Sequence, residues 1–371
     1  MLREVAAGEQ RVALVPVGVA ALKKAKLDVL VESGAGVSAG ILDQAYKDNG
    51  AEVVTKEDIA NRADVLVSIR PPTIPLKKGQ LSIAVFDPLS LPSEVPAATG
   101  ATIFSLDMVP RTTRAQAMDV LSSQANLAGY LSVLIGSTEL KKILPMMTTA
   151  AGTLAPAKAL ILGAGVAGLQ AIATARRLGA VVAAYDVRPV VKEQVESLGA
   201  RFVELPLETG DSQTAGGYAK AMGEEFYAKQ RQLLGDVLAE MDLVVTTAAI
   251  PGMKAPILIT TAMAERMAPG SVIVDIAAER GGNCELTEAG KTIVHNGVKI
   301  CGPVNLSSNL ATHASQLFSK NIQTFLLNMV KDGQLALNLE DPIVSGSLIA
   351  KDGEVVHPQV RQKLGLGEAG S

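Results

Sequence analysis

With 371 residues, the chain exceeds the usual size of one hydrophobic core, so about two domains are expected. Its 34 Lys and Arg against 37 Asp and Glu give a formal charge of -3, which leaves no basic surplus for binding nucleic-acid phosphates. Because it is 48% hydrophobic but only 3% aromatic, the interior must be mainly aliphatic, as suits buried parallel strands covered by helices.

The N-terminal third of the chain alternates short β-branched runs with a helical pattern. Strands are predicted over 27–32, 63–69 and 81–86, and a helix is predicted around 42–49. This order is typical of βαβ units, so the first domain is expected to be an open parallel sheet. It contains no glycine-rich phosphate-binding sequence.

From Thr112 to about Gly136 the chain lacks proline and places apolar residues at helical spacing, which predicts one or two helices that link two domains. The C-terminal tail is predicted as a helix over about 313–330 and a hairpin over 346–356 that turns at Asp352-Gly353. Strands of the second domain are predicted from short apolar runs over 159–162, 181–185, 243–246, 272–275 and 299–301.

These elements predict an α/β protein with two Rossmann-like, doubly wound parallel-sheet domains, separated by a cleft and linked by long helices. One stretch admits another interpretation, because residues 159–175 carry no charge and approach the length of a membrane span. Its closely spaced glycines favour a buried strand and turn instead. The expected boundaries are 1–125 with 312–371 for the first domain, 126–157 for a linking helical segment, and 158–311 for the second domain.

The two cysteines, Cys284 and Cys301, lie too far apart for a metal or redox motif and are too few for a disulfide framework. We therefore expect a reducing compartment and no metal site. The N-terminal segment lacks the apolar stretch and cleavage site of a signal peptide, so the protein is expected to stay inside the cell.

The sequence Gly163-Ala-Gly165-Val-Ala-Gly168 carries the strongest functional signal. Glycines at this spacing arise by chance, but these follow an apolar run, open a predicted helix and precede a strand that ends in Asp186. This succession is typical of dinucleotide-binding domains. There, Gly163 permits the tight turn, Gly165 lets the backbone approach a pyrophosphate, and Gly168 lets helix and strand pack closely. The helix N-terminus receives the phosphate charge.

Asp186 favours NAD(H) over NADP(H), because a carboxylate accepts hydrogen bonds from ribose hydroxyls and repels a 2′-phosphate. Arg188 leaves NADP(H) open as the alternative cofactor, since an arginine just beyond the acid can accommodate the 2′-phosphate. A glycine turn with only a packing role is the alternative. The residues expected to contact the cofactor in this domain are Gly163, Gly165, Val166, Ala167, Gly168, Asp186, Val187, Arg188, Ala248 and Ala249.

Over nearly its whole length, the chain resembles the NAD(H)-binding component of proton-translocating nicotinamide nucleotide transhydrogenases. The most specific pieces are Arg111-Thr-Thr-Arg-Ala-Gln-Ala-Met-Asp-Val-Leu-Ser-Ser-Gln-Ala-Asn126, the surroundings of Gly217-Tyr218, and Asp275-Ile-Ala-Ala-Glu-Arg-Gly-Gly-Asn283. Alanine dehydrogenase is a relative with the same fold. Family members usually begin with an apolar strand, whereas only Met1 to Arg3 precede the matching segment here, so either that strand is shortened or the chain start is unusual.

The resemblance implies that the loop matching residues 111–122 bears the nicotinamide end of the cofactor. An amide, a carboxylate and a hydroxyl suit its carboxamide and ribose, and Gln116 is expected to reach toward the second nucleotide. From the residues alone, a solvated helix start capped by Thr112 or Thr113 is the favoured interpretation. The catalytic residues that the resemblance implies are Arg111, Gln116, Asp119 and Ser122.

The resemblance also implies that residues 209–226 form a mobile loop that closes over the nucleotide. Tyr218 is the residue expected to contact the cofactor, and Gly216-Gly217 would supply the flexibility that a lid needs. Glycine content alone favours a surface loop without function.

The activity that the resemblance implies is that of a proton-translocating, Si-specific NAD(P)+ transhydrogenase. NADH on this chain would pass a hydride to NADP+ on a separate component. Such transfer moves no proton at the reacting carbons, so the site needs positioning and exclusion of water more than an acid or base. The implied partners are an NADP(H)-binding component, a membrane-spanning proton-channel component and a second copy of this chain. The chain is then expected to be cytoplasmic and peripheral to the inner membrane.

An amino-acid dehydrogenase is the alternative, and it needs a proton-transfer group and a cation for the substrate carboxylate. Where alanine dehydrogenases carry a lysine and a histidine, this chain has Arg70 and approximately Pro88. Arg70 can hold a carboxylate, but we expect no proton carrier beside it. A soluble NAD-binding regulatory module is a third, non-enzymatic interpretation.

Overall fold

The structure is a computed structural model that describes residues 1–207, 223–250 and 252–367. The chain divides into two compact units. The first combines Met1–Gln124 with Ser307–Ser371, and the second is the single segment Ala125–Leu306. Residues 126–157 therefore lie in the second unit.

Helices and strands are labelled in chain order. The α-helices of the described residues are α1 (Pro16–Lys24), α2 (Asp43–Asp48), α3 (Lys56–Arg62), α4 (Val120–Glu139), α5 (Val166–Arg177), α6 (Lys192–Ser197), α7 (Glu224–Ala239), α8 (Thr261–Glu265), α9 (Ala311–Leu327), α10 (Pro342–Ser347) and α11 (Pro358–Lys363). The strands are β1 (Leu30–Glu32), β2 (Glu52–Val54), β3 (Val65–Val67), β4 (Leu81–Ala84), β5 (Thr102–Ser105), β6 (Met147–Thr149), β7 (Gly152–Leu154), β8 (Lys158–Leu162), β9 (Val181–Tyr185), β10 (Arg201–Phe202), β11 (Leu243–Thr246), β12 (Val272–Asp275), β13 (Thr292–His295), β14 (Val298–Cys301), β15 (Val330–Lys331), β16 (Gln334–Leu335), β17 (Leu348–Lys351) and β18 (Glu354–Val355).

The second unit is built on a seven-stranded sheet in the order β10-β9-β8-β11-β12-β14-β13. All neighbouring strands are parallel except β13 and β14. Every residue of β11 and β12 is buried, as expected for parallel strands that are covered on both faces. The strand order reverses between β8 and β11, and doubly wound sheets bind ligands outside the carboxyl ends of the strands at such a reversal.

Two glycines let α4 pack closely within the second unit. A Cβ on Gly136 would lie 2.4 Å from Cδ1 of Leu243 in β11, and a Cβ on Gly129 would lie 2.0 Å from the carbonyl oxygen of Ala167 in α5. A larger side chain at either position would push the helix away. The helical region predicted from Thr112 onward consists of a short 3-10 helix, Thr113–Met118, followed by α4.

The first unit contains a five-stranded sheet in the order β18-β17-β5-β4-β3. Strands β3, β4 and β5 are parallel, whereas β17 is antiparallel to both β5 and β18. The turn between β17 and β18 lies at Asp352 and Gly353, whose φ angles of 52° and 94° suit a tight hairpin and confirm the predicted one. A separate parallel pair is formed by β1 and β2. The α/β class with parallel sheets is thus confirmed, with an antiparallel edge that the C-terminal tail supplies.

The core of the first unit joins segments from both ends of the chain. Phe104 on β5 packs edge-to-face on Phe325 of α9, with ring centroids 5.6 Å apart, and both rings are fully buried. Residues 1–3 lie beside β1 without forming a strand, and the N–H of Glu32 donates to the carbonyl oxygen of Met1 at 3.0 Å.

The uncharged stretch 159–175 forms most of β8, the glycine turn and most of α5. The membrane-span interpretation of this stretch is therefore wrong, because its first residues extend within a parallel sheet. Within the described ranges, no helix is both long enough and apolar enough to cross a membrane.

Candidate nucleotide-binding site

Two glycines of the turn after β8 are required by packing. Gly163 has a φ of +100°, a conformation that favours glycine, and a Cβ there would lie 2.5 Å from Oγ1 of Thr247. A Cβ on Gly168 would lie 1.8 Å from the carbonyl oxygen of Gly163. The first turn of α5 therefore meets the end of β8 backbone to backbone.

The middle glycine, Gly165, is not explained by packing. It is the N-cap residue of α5 and has an extended backbone. Among the described residues, the atom nearest to a Cβ at this position is Nη2 of Arg188, at 4.0 Å. No described side chain caps this helix end, so none competes for the N–H groups of Val166 and Ala167. The space beside Gly165 fits a pyrophosphate at a helix N-terminus.

Asp186, just after β9, is held by its neighbours at both carboxylate oxygens. Its Oδ2 accepts from the N–H of Ala164 at 2.7 Å, and its Oδ1 accepts from the N–H of Arg188 at 2.9 Å. The Arg188 guanidinium donates from Nε to Oδ1 at 2.9 Å and from Nη2 to Oδ2 at 2.7 Å. Hydrogen bonding to this carboxylate raises the pKa of Arg188 above its usual value. The negative charge expected to repel a 2′-phosphate is thus offset by a neighbouring cation.

Tyr185 fixes the strand end that carries Asp186. Its carbonyl oxygen accepts from the N–H of Gly163 at 2.8 Å. Its buried hydroxyl accepts from Nε2 of Gln230, on α7, at 2.9 Å. Burial raises the pKa of Tyr185 to about 12, so the phenol stays neutral and the β9 end remains joined to the glycine turn.

The loop after β11 lies against the glycine turn. Oγ1 of Thr247 donates to the carbonyl oxygen of Gly163 at 3.1 Å. The N–H of Ala248 donates to Oδ1 of Asn283 at 3.0 Å, and the carbonyl oxygen of Ala248 accepts from Nδ2 of Asn283 at 2.8 Å. Ala248 is half-buried and Ala249 is exposed. Sequence reasoning assigned no role to Asn283, although it ends one of the segments that carry the family resemblance.

Three of the four residues proposed for the nicotinamide end form one cluster in the first unit. Asp119 Oδ1 accepts from the N–H of Ser122 at 2.9 Å, and Oδ2 accepts from Oγ of Ser122 at 2.7 Å. Arg111 donates from Nη2 to Oγ of Ser122 at 3.3 Å and pairs with Asp119 at 3.7 Å. Gln116 is exposed and outside these contacts. Asp119 caps the start of α4, whereas Thr112, one of the two threonines expected to cap this region, makes no capping bond.

The proposed lid cannot be placed in this site. Tyr218 lies outside the described residues, as do Gly216 and Gly217. Gly223, the first described residue after this segment, is the N-cap residue of α7.

A carboxyl group lies beside Arg70 in the first unit. Oε1 of Glu4 accepts from the N–H of Ile69 at 2.6 Å, and Oε2 accepts from the N–H of Arg70 at 3.4 Å. Burial raises the pKa of Glu4 to about 7, so this group exchanges a proton near neutral pH. Glu4 and Arg70 both line a cavity of about 110 Å³. Glu4, which is distant in sequence, thus lies next to the Arg70 backbone, whereas the Arg70 guanidinium pairs with Oε2 of Glu9 at 3.4 Å.

Comparison with known protein families gives two matches that together cover most of the chain. Residues 1–128 match the alanine dehydrogenase/PNT N-terminal domain, and residues 132–358 match the alanine dehydrogenase/PNT C-terminal domain.

Individual relatives include a transhydrogenase subunit and a dehydrogenase. The chain is 47% identical over 366 residues to an NAD(P) transhydrogenase alpha-subunit protein of Rhodospirillum rubrum, covering 95% of each protein. It is 27% identical to alanine dehydrogenase of Mycolicibacterium smegmatis, covering 98% of this chain and 95% of that one. Among solved structures, a transhydrogenase from Sinorhizobium meliloti matches with a TM-score of 0.86 at 46% identity, covering 96% of this chain and 99% of the other.

Proposed function

The chain belongs to the alanine dehydrogenase/PNT family, and from that membership we propose that it is the NAD(H)-binding component of a proton-translocating transhydrogenase. In this proposal NADH on the chain passes a hydride, with Si stereospecificity, to NADP+ held by a separate component. Membrane subunits couple the transfer to proton translocation. The relatives named as transhydrogenase alpha subunits support this choice.

The open space beside Gly165 carries the proposal. Gly163 and Gly168 are required by packing alone, whereas a Cβ at position 165 would be crowded by no described atom. A glycine whose Cβ position meets only Nη2 of Arg188, at 4.0 Å, at the uncapped start of a helix and at the reversal of strand order, suits a pyrophosphate. The cofactor that we propose for this space is NAD(H).

The chain's own residues then bind and orient the dinucleotide. The N–H groups of the first turn of α5 receive the pyrophosphate. Asp186 accepts hydrogen bonds from the adenosine ribose hydroxyls, which replace those that Arg188 donates. Val187 is the residue between Asp186 and Arg188. When bound, the nicotinamide ring supplies the hydride. The Arg111–Asp119–Ser122 cluster holds the carboxamide and ribose of that end.

No general acid or base is required, because a hydride moves between two carbons without a proton. The proposed task of the cluster is positioning, and that of the Tyr218 loop is exclusion of water. Gln116, which is exposed in the first unit, is proposed to contact the second nucleotide.

We propose a homodimer and peripheral attachment to the inner membrane through partner subunits. An exposed apolar hairpin supports the dimer. Every residue of β6 and β7 is exposed, and Met146, Met147 and Leu154 keep 67%, 45% and 51% of their surface exposed. Apolar surface of this kind is typical of a protein–protein interface, and a second copy of the chain is the partner we propose for it.

The deciding experiment is a hydride-transfer assay with purified protein. NADPH and an NAD+ analogue are supplied with a recombinant NADP(H)-binding component, and alanine with NAD+ is supplied in a parallel reaction. Transfer that depends on the partner, without alanine turnover, is the expected result. Alanine turnover without a partner would overturn the proposal.

Amino-acid dehydrogenase activity is the second candidate, and the Glu4 carboxyl beside Arg70 is the observation that favours it. A cation for a carboxylate and a group that exchanges protons near neutral pH are the two requirements of that chemistry. The alanine reaction tests it directly, and Glu4→Gln should abolish any turnover found there.

A further inference from the structure

The side chain of Asn283 binds the backbone of a distant loop in the second unit. It is fully buried, and its amide mimics a strand partner by bonding both the N–H and the carbonyl oxygen of Ala248, at 3.0 and 2.8 Å. Its Nδ2 also donates to the carbonyl oxygen of Pro256 at 2.9 Å. One side chain thus fixes two backbone positions, Ala248 and Pro256.

Asn283 is itself fixed by a buried carboxylate. Asp275, the last residue of β12, is fully buried, and its Oδ2 accepts from the N–H groups of Asn283 and Cys284 at 2.7 and 3.0 Å. Its Oδ1 accepts from the N–H of Ala277 at 3.0 Å. A carboxylate in this environment needs such donors, so these bonds hold the loop that carries Asn283 at the end of β12.

Ala248, one of these two positions, lies beside the glycine turn. A Cβ on Gly163 would lie 3.3 Å from the backbone nitrogen of Ala248, and Thr247 already donates to the Gly163 carbonyl oxygen. Displacing Ala248 would therefore displace the surface beside the turn. The hydrogen bonds form a continuous path from the end of β12 to the end of β8.

We infer that Asn283 is a positioning residue for the nicotinamide half of the bound dinucleotide, an inference that rests on the proposed NAD(H) site. Doubly wound sheets bind the two halves of a dinucleotide on either side of the strand reversal. Asp186 lies on the β8-β9-β10 side, so the adenosine half belongs there. Ala248 follows β11, on the other side. Asn283 sets that backbone without touching the nucleotide.

The test compares NADH with AMP, which has only the adenosine half, as ligands of the purified chain. Asn283→Ala removes all three side-chain bonds, and we expect the NADH dissociation constant to rise about tenfold. The AMP dissociation constant should change by less than about twofold. Asn283→Ser keeps a small polar side chain that can still bond one backbone partner, so it should fold if the alanine variant does not, and it should raise the NADH dissociation constant in the same direction.

Two controls separate this from a general structural effect. Ser271, the residue before β12, donates from its hydroxyl to the carbonyl oxygen of Ala268. Ser271→Ala removes this bond and should lower stability without changing either dissociation constant. Asp186→Asn should weaken AMP and NADH together. The inference would be overturned if the Asn283 variants bound NADH and AMP more weakly by the same factor, or if their NADH binding were unchanged. Failure of the unaltered chain to bind either ligand would instead overturn the proposed NAD(H) site.

Discussion

Replacing Gly165 and Gly168 by alanine, one at a time, separates the two uses of glycine in the turn after β8. At Gly165 the added Cβ would lie 4.0 Å from Nη2 of Arg188, an ordinary contact distance, and the φ of -76° and ψ of -166° suit alanine. The unfolded chain loses freedom, so stability should be unchanged or higher by up to about 1 kcal/mol. The same methyl group fills the space proposed for the pyrophosphate, so the NADH dissociation constant should rise at least about tenfold.

At Gly168 the opposite balance is expected. The added Cβ would lie 1.8 Å from the carbonyl oxygen of Gly163, far inside contact distance, and neither group is a flexible side-chain end that can turn away. Helix α5 must therefore shift from β8, and overpacking of this kind costs about 1 to 3 kcal/mol. NADH binding should weaken as well, because the N–H groups of the first turn move with the helix.

Urea unfolding followed by circular dichroism gives the stability of each variant, and NADH fluorescence titration gives its affinity. Two units need not unfold together, so the transitions are compared by their midpoints. A Gly165→Ala variant with the original NADH affinity would refute the assignment of this space to the pyrophosphate. A Gly165→Ala variant as destabilised as Gly168→Ala would mean that packing, and not a ligand, requires the glycine.

Three other predictions concern charge, pH and assembly. Asp186→Asn leaves Arg188 beside the adenosine ribose, so NADP(H) affinity relative to NAD(H) should rise about tenfold in paired titrations, and an equal loss for both would contradict this. Because the pKa of Glu4 is raised from 4.5 to about 7, the folded protein loses stability as pH rises through that interval. Glu4→Gln should remove up to about 3 kcal/mol of this loss, measured as urea midpoints at several pH values. An unchanged dependence of the midpoint on pH would show that Glu4 is not the group responsible. Replacing Met146 and Leu154 by serine should give monomers in sedimentation runs, and a persistent dimer would place the interface elsewhere.

The strands of the second unit could be predicted from sequence because their signal is local. A buried parallel strand is a continuous apolar run, so β9, β11 and β12 have the predicted bounds. The hairpin at Asp352-Gly353 is local too, since the turn residues themselves determine it. Helix α1 was not predicted, because its nine residues begin at Pro16 and lack a strong helical pattern.

The contacts within the candidate site were less accessible to sequence reasoning. Asn283 lies 35 residues from Ala248 along the chain, and no periodicity or spacing connects a side-chain amide with a loop at that distance. Glu4 and Arg70 are likewise adjacent only because the N-terminal segment passes beside the end of β3. The pairing of Arg188 with Asp186 is local, but its geometry depends on the turn after β9.

The antiparallel strand β17 has a consequence for the order of events during synthesis. It pairs with β5 through Leu348 beside Phe104, and α9 supplies Phe325 to the same core. The second unit, in contrast, is one segment that ends at Leu306. On a ribosome that unit can fold as soon as it emerges, whereas the N-terminal strands must wait with an open sheet edge until nearly the whole chain has been made.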